Sequence, residues 1–524
     1  MSERSLLIRK PLLVRKPLSI AVAVICTSLS ANVLAQEEAQ ATDEQMVVTA
    51  TRTEMALKQA PASMSVITAQ DIEDSPGITL ADIVAESTSV ESDFDSTRAG
   101  RQMISIRGMD SDYTLIMVNG RRLSSASAII RGNDFDLSTI PADSIERVEI
   151  IRGPMSALYG SDGMGGTINI ITKAPENDWS STLSMDTSSP LDGDGGEEYS
   201  MGFTTSGALI EDELFARLSV NQTSRDAWQP YSGTHSSGYD RSDITALEER
   251  ETLSLLASLT WNATDNQTID FDFGYSDDER ESSAENVSSV IESDTRVVRQ
   301  SQAIKGWCDI VGNEDLNPET SWNYEIAALY TQPRWNVEGA LFRNEIQDLI
   351  DRGDTECRSG GTWGGNGFGC VDTGGNFVSK GTRSYVNVSE AVIQGAELTG
   401  QFQITDEWGV SGNYTFLDTE DKSTGEELLE RYKHSGLVKL NWSPTYDLNT
   451  FISARYRGER NIETDLTQEA YTTLNIGGVY NINDSVRVRA GITNLTDEAV
   501  SQELESMGYV EEPRTYYVGM TADF

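Results

Sequence analysis

From Trp179 to Phe524 the chain repeats one pattern: short runs of alternating apolar and polar side chains, separated by acidic, glycine- and serine-rich stretches. A period of two puts successive side chains on opposite faces of a strand. ELFARLSVNQ therefore places Leu214, Ala216, Leu218 and Val220 on one face and Arg217, Ser219 and Asn221 on the other. TIDFDFGY sets Ile269, Phe271, Phe273 and Tyr275 against Asp270 and Asp272, and SVRVRAGI sets Val486, Val488, Ala490 and Ile492 against Arg487 and Arg489. TYYVGMTADF aligns Tyr516, Val518, Met520, Ala522 and Phe524. One apolar, aromatic face and one charged face, kept across so many strands, fit a transmembrane antiparallel β-barrel with lipid outside and a wet lumen. A soluble β-sandwich would need those charges on its outside.

Composition agrees only when the barrel is considered. With 38% hydrophobic residues in 524 and a negative mean hydropathy, the chain would ordinarily be read as several soluble domains. No apolar run of helical spanning length follows the N-terminus, which excludes a helical membrane protein, whereas a barrel strand needs only about 10 alternating residues. The net charge of −43 disfavours nucleic acid, whose phosphates need a basic stripe, and suits a surface facing divalent cations. Met1 to Ala35 reads as a secretory signal, with basic Arg4, Arg9, Lys10, Arg15 and Lys16, a largely apolar Leu18 to Leu29, and a small-residue cleavage site at Val33-Leu34-Ala35. Outside that signal three cysteines remain. Cys357 and Cys370 flank GGTWGGNGFG and are expected to staple one loop, leaving Cys308 unpaired.

Ahead of the barrel pattern, Ser144 to Lys173 reads as two apolar strands, around Ile145 to Ile151 and Ile168 to Ile171, joined by a glycine-rich turn. No phosphate-loop or dinucleotide fingerprint is present there. RGPMSALYGSDGMGGTINIITK resembles the end of the plug domain in TonB-dependent outer-membrane receptors, whose pattern runs E-x-x-R-G-P, then Y-G, then G-G-x-I-N-I-x-T. MISIRGMDSDYTLIMVNGRR (103 to 122) and KGWCDIVGNEDLNPETSWNYEIA (305 to 327) most resemble the catecholate-siderophore and colicin I receptor group. The resemblance implies a mainly β protein of the outer membrane of a Gram-negative bacterium. Its parts would be a signal peptide (1–35), a periplasmic tail (36–54), an α+β plug (55–175) and a β-barrel (176–524).

Within the tail, Met46 to Thr49 is a short β-prone segment in polar surroundings. It reads either as a strand tucked onto the next domain or as one donated to a partner's sheet edge. By resemblance Gln45, Met46, Val47, Val48, Thr49 and Ala50 form the TonB box, which an energised periplasmic TonB-type protein pulls. In the plug, Thr79 and Asp82 have capping-box spacing and open a helix to about Ala85, and Pro141 starts another helical turn. Six arginines cluster between 98 and 131 in an otherwise acidic chain. They read as solvated loop residues or as a trap for an anionic, aromatic ligand, and Arg101, Arg122 and Arg131, in irregular segments that the resemblance would turn toward the outside, are the candidate ligand residues. By resemblance Arg107, Arg152, Glu325 and Glu397 form a plug–barrel lock, for which a guanidinium's planar fork is suited.

Counting alternating runs gives about 5 strands before Asp278 and about 9 after Thr320, roughly 14 in all, against about 22 in the family. The wall therefore lacks strands at a seam within 278–320. Thr295 to Ala303 reads as loop or frayed strand. An ascending strand before the seam and a descending one after it allow antiparallel closure, but a ring of 14 is too narrow to house the plug comfortably, so either the barrel is open, the plug is displaced, or the sequence is an internally deleted version of a working receptor.

No catalytic set accompanies His235 and His434, so no enzyme activity is expected. No protein metal site or cofactor is expected either, since iron would arrive inside its chelator. The implied function is TonB-dependent uptake of a ferric siderophore of the catecholate type, with outer-membrane lipid and lipopolysaccharide around the wall. The alternatives are a passive barrel serving as a colicin or phage attachment surface, or a receptor for another chelate such as vitamin B12.

Overall fold

The computed structural model describes residues 46–524 apart from 48, 50–54, 58–59, 61, 76–78, 96–100, 124–132, 134–136, 138–139, 160–162, 230–246, 265–266, 283–294, 298–307, 312–315, 318, 349, 353–356, 358–361, 364–369, 372–376, 380, 388–389, 464–465 and 499–512. The predicted signal peptide lies outside the described residues.

The N-terminal domain is built on a five-stranded sheet in the order Met64–Thr68, Ile145–Arg152, Gly166–Thr172, Thr114–Val118, Arg121–Arg122. The Ser144 to Lys173 stretch supplies the antiparallel pair at its centre, and Thr114–Val118 adds in parallel. Gly166 allows the close approach, because a Cβ there would stand 2.6 Å from the Ile151 carbonyl and 2.7 Å from Ile106 Cδ1. One sheet face packs Ile67, Ile116, Val148, Ile150, Ile168 and Ile170 against a helix at Leu80–Val84. Each such side chain contributes about 1.5–3 kcal/mol when fully buried. That helix and Ala69–Glu73 both start with reciprocal threonine–aspartate capping boxes, Thr79 with Asp82 and Thr68 with Asp71. The turn at Pro141 is a short 3-10 segment, Ala142–Ser144.

The rest of the chain forms one antiparallel sheet of fourteen long strands: β1 (Ser180–Pro190), β2 (Glu198–Ile210), β3 (Leu214–Arg225), β4 (Glu249–Thr264), β5 (Gln267–Ser282), β6 (Thr320–Gln332), β7 (Trp335–Gln347), β8 (Ala391–Gln403), β9 (Trp408–Asp421), β10 (His434–Thr445), β11 (Leu448–Arg457), β12 (Tyr471–Asn483), β13 (Val486–Thr493) and β14 (Thr515–Asp523). Each begins close to where alternation places it. Thr295–Val297 adds a three-residue strand at the end of β5. Short turns join strands on the rim where the chain enters β1, and long connections join them on the other rim.

Facing follows the alternation. Tyr516, Val518, Met520 and Leu218 are exposed on the outside, whereas Ser219 is fully buried and Arg217 turns inward to Thr172 Oγ1 at 2.8 Å.

The structure bears on the alternatives for wall and plug. β1 pairs with β14, but among the described residues β5 and β6 do not pair, and the sheet ends at the β5 side and at β6. The N-terminal domain is nonetheless seated against the wall, touching β1 through Asp143 and Ser184, β8 through Thr88 and Thr399, β11 through Asp74 and Asn449 and β13 through Glu73 and Arg487. The domain is thus seated on a wall whose β5 and β6 are not joined among the described residues.

Candidate functional site

The domain meets the wall most tightly at Arg107. The strand Arg101–Ile106 ends in a turn where Arg107 and Gly108 both take left-handed backbone, φ 54° and 71°. That conformation costs a non-glycine residue of order 1–3 kcal/mol unless its surroundings impose it. Here the Arg107 amide donates to the Ser89 carbonyl at 2.8 Å, and a Cβ on Gly108 would press on Leu417 and Arg431 of the wall side. The turn aims a fully buried guanidinium at the wall.

Arg107 donates through Nε and Nη2 to both oxygens of Glu397 on β8, each at 2.7 Å, and through Nη1 to Glu325 on β6 at 2.6 Å. Its plane lies 4.3 Å from the Phe342 ring centroid. Burial works against the charged form, but hydrogen bonds and charge from Glu397 and Glu325 outweigh it and hold its pKa above the ordinary arginine value. Arg152 also reaches this wall, donating to Glu338 on β7 at 2.9 Å and standing 3.5 Å from Glu397. Glu338 was not foreseen. Its signal in the sequence is a lone carboxylate in WNVEGALF, in phase with Ala340 and Phe342 on the lumen face.

The N-terminal segment is tucked in. Met46–Val47 pairs with Met55–Ala56, and Val47 is wholly buried with Met64, Leu115, Met117, Ile151, Met155 and Tyr159. Thr49 donates to buried Glu149 through its amide at 2.8 Å and its hydroxyl, accepts from Asn169 at 2.8 Å, and its carbonyl accepts from Tyr159. Gln45, Val48 and Ala50 lie outside the described residues.

Of the candidate ligand arginines, Arg101 and Arg122 lie on separate strands. Arg101 opens the strand that pairs with Val90–Asp95, which climbs towards the long-loop rim at Arg457. Arg122 follows the Asn119-Gly120 turn beside Thr172, at the end where the chain leaves for β1. The expectation that Arg122 faces outward with Arg101 is therefore corrected: the strand before it runs parallel to Gly166–Thr172 and ends on the short-turn side. Arg131 lies outside the described residues. At the long-loop rim a different basic and aromatic cluster forms. The Arg460 guanidinium is 4.1 Å from the Tyr432 ring centroid, and Arg457 donates to Tyr471 Oη and to the Ser92 carbonyl. Its members come from separate connections, so no local motif announces them.

On the β1 to β4 side the interface is looser. A cavity of about 130 Å³ is lined by Asp143, Asp186, Glu198, Arg250, Arg487 and Arg489 among others. Burial raises the Asp143 and Glu73 pKa values above the ordinary carboxylate range. Cys357 and Cys370 are disulfide-bonded in the long connection between β7 and β8. Cys308 opens a short strand paired with Gly381–Ser384. Among the described residues no cluster of metal-ligating side chains occurs.

Residues 125–495 match the family described as TonB dependent receptor-like, beta-barrel, and residues 56–167 match the TonB-dependent Receptor Plug Domain. The iron-regulated outer membrane virulence protein of Vibrio cholerae is 26% identical, over 94% of this chain and 97% of that one. That alignment runs to 655 positions against a chain of 524 residues, so the relative carries residues with no counterpart here. The vitamin B12 transporter BtuB of Vibrio vulnificus is 25% identical over 97% and 99% of the two chains. The ferric enterobactin receptor PirA of Pseudomonas aeruginosa is 33% identical over 46% of this chain and 33% of that one. In fold, the ferric enterobactin receptor PfeA of the same organism superposes with a TM-score of 0.71 at 18% identity, covering 89% of this chain and 100% of that one.

Proposed function

The chain belongs to the TonB-dependent receptors of the outer membrane, and on that premise we propose that it takes up a ferric siderophore of the catecholate type. The observation that carries this reading is the seated plug: Arg107 and Arg152 hold it on β6, β7 and β8, while the N-terminal segment is docked on it through Val47 and Thr49. Ligand class is supported by the names of the relatives, the virulence protein being iron-regulated and PirA a ferric enterobactin receptor.

In this reading Gln45 to Ala50 is the TonB box. A TonB-type protein pairs with it as an added strand, main chain to main chain, and force on it must first break the Thr49–Glu149 hydrogen bonds. The ligand enters from the long-loop rim, near Arg101 and the Arg457–Arg460 cluster, and iron stays within its chelator. Iron-limited growth on a ferric catecholate tests this. The intact chain should support growth and Val48→Pro, which removes a main-chain donor, should abolish it. Growth indifferent to the proline would sink the proposal.

A second reading, cobalamin uptake, is favoured by the near full-length likeness to BtuB. Growth on vitamin B12 in place of the ferric catecholate would establish it. A third, a passive barrel used as an attachment surface, is favoured by a wall whose β5 and β6 do not pair among the described residues, and predicts no uptake of either.

A further inference from the structure

Glu325 divides its carboxylate between two parts of the plug. One oxygen accepts from Arg107 Nη1 at 2.6 Å, and the other accepts from the Ser63 amide at 3.2 Å and the Ser63 hydroxyl at 2.8 Å. Ser63 stands immediately before the strand Met64–Thr68. Its carbonyl accepts from the Arg152 amide at 3.1 Å, and the Arg152 carbonyl accepts from Arg107 Nη1 at 3.1 Å. Upstream of it, Ala62, Ala60 and Leu57 pack on the cluster that buries Val47. Among the described residues Ser63 is thus the first in the chain to hydrogen-bond the wall, and it is the root of the docked N-terminal segment.

The Arg107 turn is held from the other rim as well. Arg431, in the connection between β9 and β10, donates through Nε to the Gly108 carbonyl at 2.8 Å and through Nη2 to Asp110 at 2.6 Å. Its Nη1 donates to the Leu429 carbonyl at 2.6 Å, which ties the guanidinium to its own connection. Arg431 Cγ lies 3.3 Å from where a Cβ on Gly108 would stand, so the turn and the connection have no slack between them. Bonds from a charged donor are roughly twice as strong as neutral ones.

We propose that Arg431 and Ser63 are positioning residues at the two ends of one relay. The β9–β10 connection sets the Arg107 turn, Arg107 sets the Glu325 carboxylate, and Glu325 sets how firmly the root of the N-terminal segment is held. Coupling requires an element that both ends bias. The Arg107–Gly108 turn is that element, because its left-handed backbone persists only while its surroundings impose it. Displacing the connection from outside therefore loosens the segment, and by reciprocity withdrawing the segment loosens the connection. This deepens the reading of Gln45 to Ala50 as the TonB box, by naming the wall residue and the outer residue that govern its release.

Maleimide labelling of the purified full-length chain tests it. In a Cys308→Ser background, Val47→Cys puts a thiol where the side chain is wholly buried, so its labelling rate reports how often the segment leaves the plug. Arg431→Ala touches nothing in the segment, yet should raise the rate about fivefold or more, the low end of ordinary coupling between sites. Asp110→Asn should act in the same direction, and decides alone if Arg431→Ala yields no folded protein. Ser63→Ala should raise the rate too. In a Glu325→Gln chain Arg431→Ala should add little, since the relay is already cut. Lys439→Ala, which removes a plug contact on β10, should leave the rate unchanged.

An unmoved rate in Arg431→Ala and Asp110→Asn, or effects of Arg431→Ala and Glu325→Gln that multiply, would make these contacts independent pins and overturn the proposal. An equal rise with Lys439→Ala would mean general loosening of the plug and overturn it too. A parent chain that labels as fast as Tyr446→Cys, at a position 96% exposed, would remove the docked segment and the proposal with it. Labelling needs neither a partner nor a ligand, so a chain that takes up no ferric catecholate still decides the relay, and a failed relay leaves uptake to its own test.

Discussion

Where β1 meets β14 the wall is continuous, paired from Thr182 with Asp523 to Pro190 with Thr515; between β5 and β6 no pairing occurs among the described residues. Both places use the same alternation, and both carry aromatic side chains outward. The difference is whether a neighbouring strand pairs there. At the sealed junction the lumen side is also knitted, Arg489 donating to Asp186 at 2.7 Å. On β5 and β6 the lumen side is held by the plug instead, β6 through Glu325 and β5 through Asp272. A strand's inside and outside are therefore set by its own residues, whereas its lateral bonding depends on a neighbour elsewhere in the chain.

The largest effect should come from the sealed junction. Val518 stands opposite Thr187 on one side and Ala490 on the other, so Val518→Pro removes a ladder hydrogen bond from an interior strand, where proline is essentially not found. It should remove most of the folded, heat-modifiable protein on gels. Phe273→Pro on the edge strand β5 should remove less, and equal losses would erase the distinction between the two junctions. Next, Arg107→Ala takes the shared cation from between Glu397 and Glu325 and leaves Glu397 only Arg152, at 3.5 Å. Stripping one partner from a buried pair costs about 3–5 kcal/mol, which should appear as early release of the plug to protease in urea.

Glu397→Gln should weaken the plug more than Glu325→Gln, since the Glu397 side chain is 3% exposed and Glu325, on an edge strand, 17%. The same urea midpoints decide it, and the reverse order would mean the edge is covered. On the sealed side, Asp143 has its carboxyl pKa raised by folding, so the folded form holds a proton to higher pH than the unfolded one. Its contribution is lost as pH rises from the ordinary carboxylate range through that raised value. Asp143→Asn should flatten this part of the pH profile of the urea midpoint, and an unchanged slope would assign it to Glu73 or Asp74. The smallest effect is expected for Arg121→Ala, whose pair with Asp272 is exposed, 62% and 36%, and worth less than about 1 kcal/mol.

Alternation located about fourteen strands and, in the four runs read residue by residue, the two faces, because a period of two is a local property that a membrane enforces at every residue. The capping boxes at Thr68 and Thr79 were equally local; the second was legible as spacing. Glu338, Phe342 and the Tyr432–Arg460 cluster were not, since each is defined by a partner hundreds of residues away or in another connection. Arg122 was misplaced for a related reason. Its sequence neighbourhood shows a turn, but only the parallel pairing of Thr114–Val118 with Gly166–Ile170 shows which end of the plug that turn occupies.

The sequence by itself determined the two-part architecture, the facing of the wall and the chemistry of the Ser144 to Lys173 hairpin, all of which follow from residue type and short-range period. Tertiary structure alone decided that the plug stays seated and that, among the described residues, β5 and β6 do not pair. Seating depends on Arg107 bridging β6 and β8. Pairing depends on which strands lie side by side, a property that no single strand's residues carry.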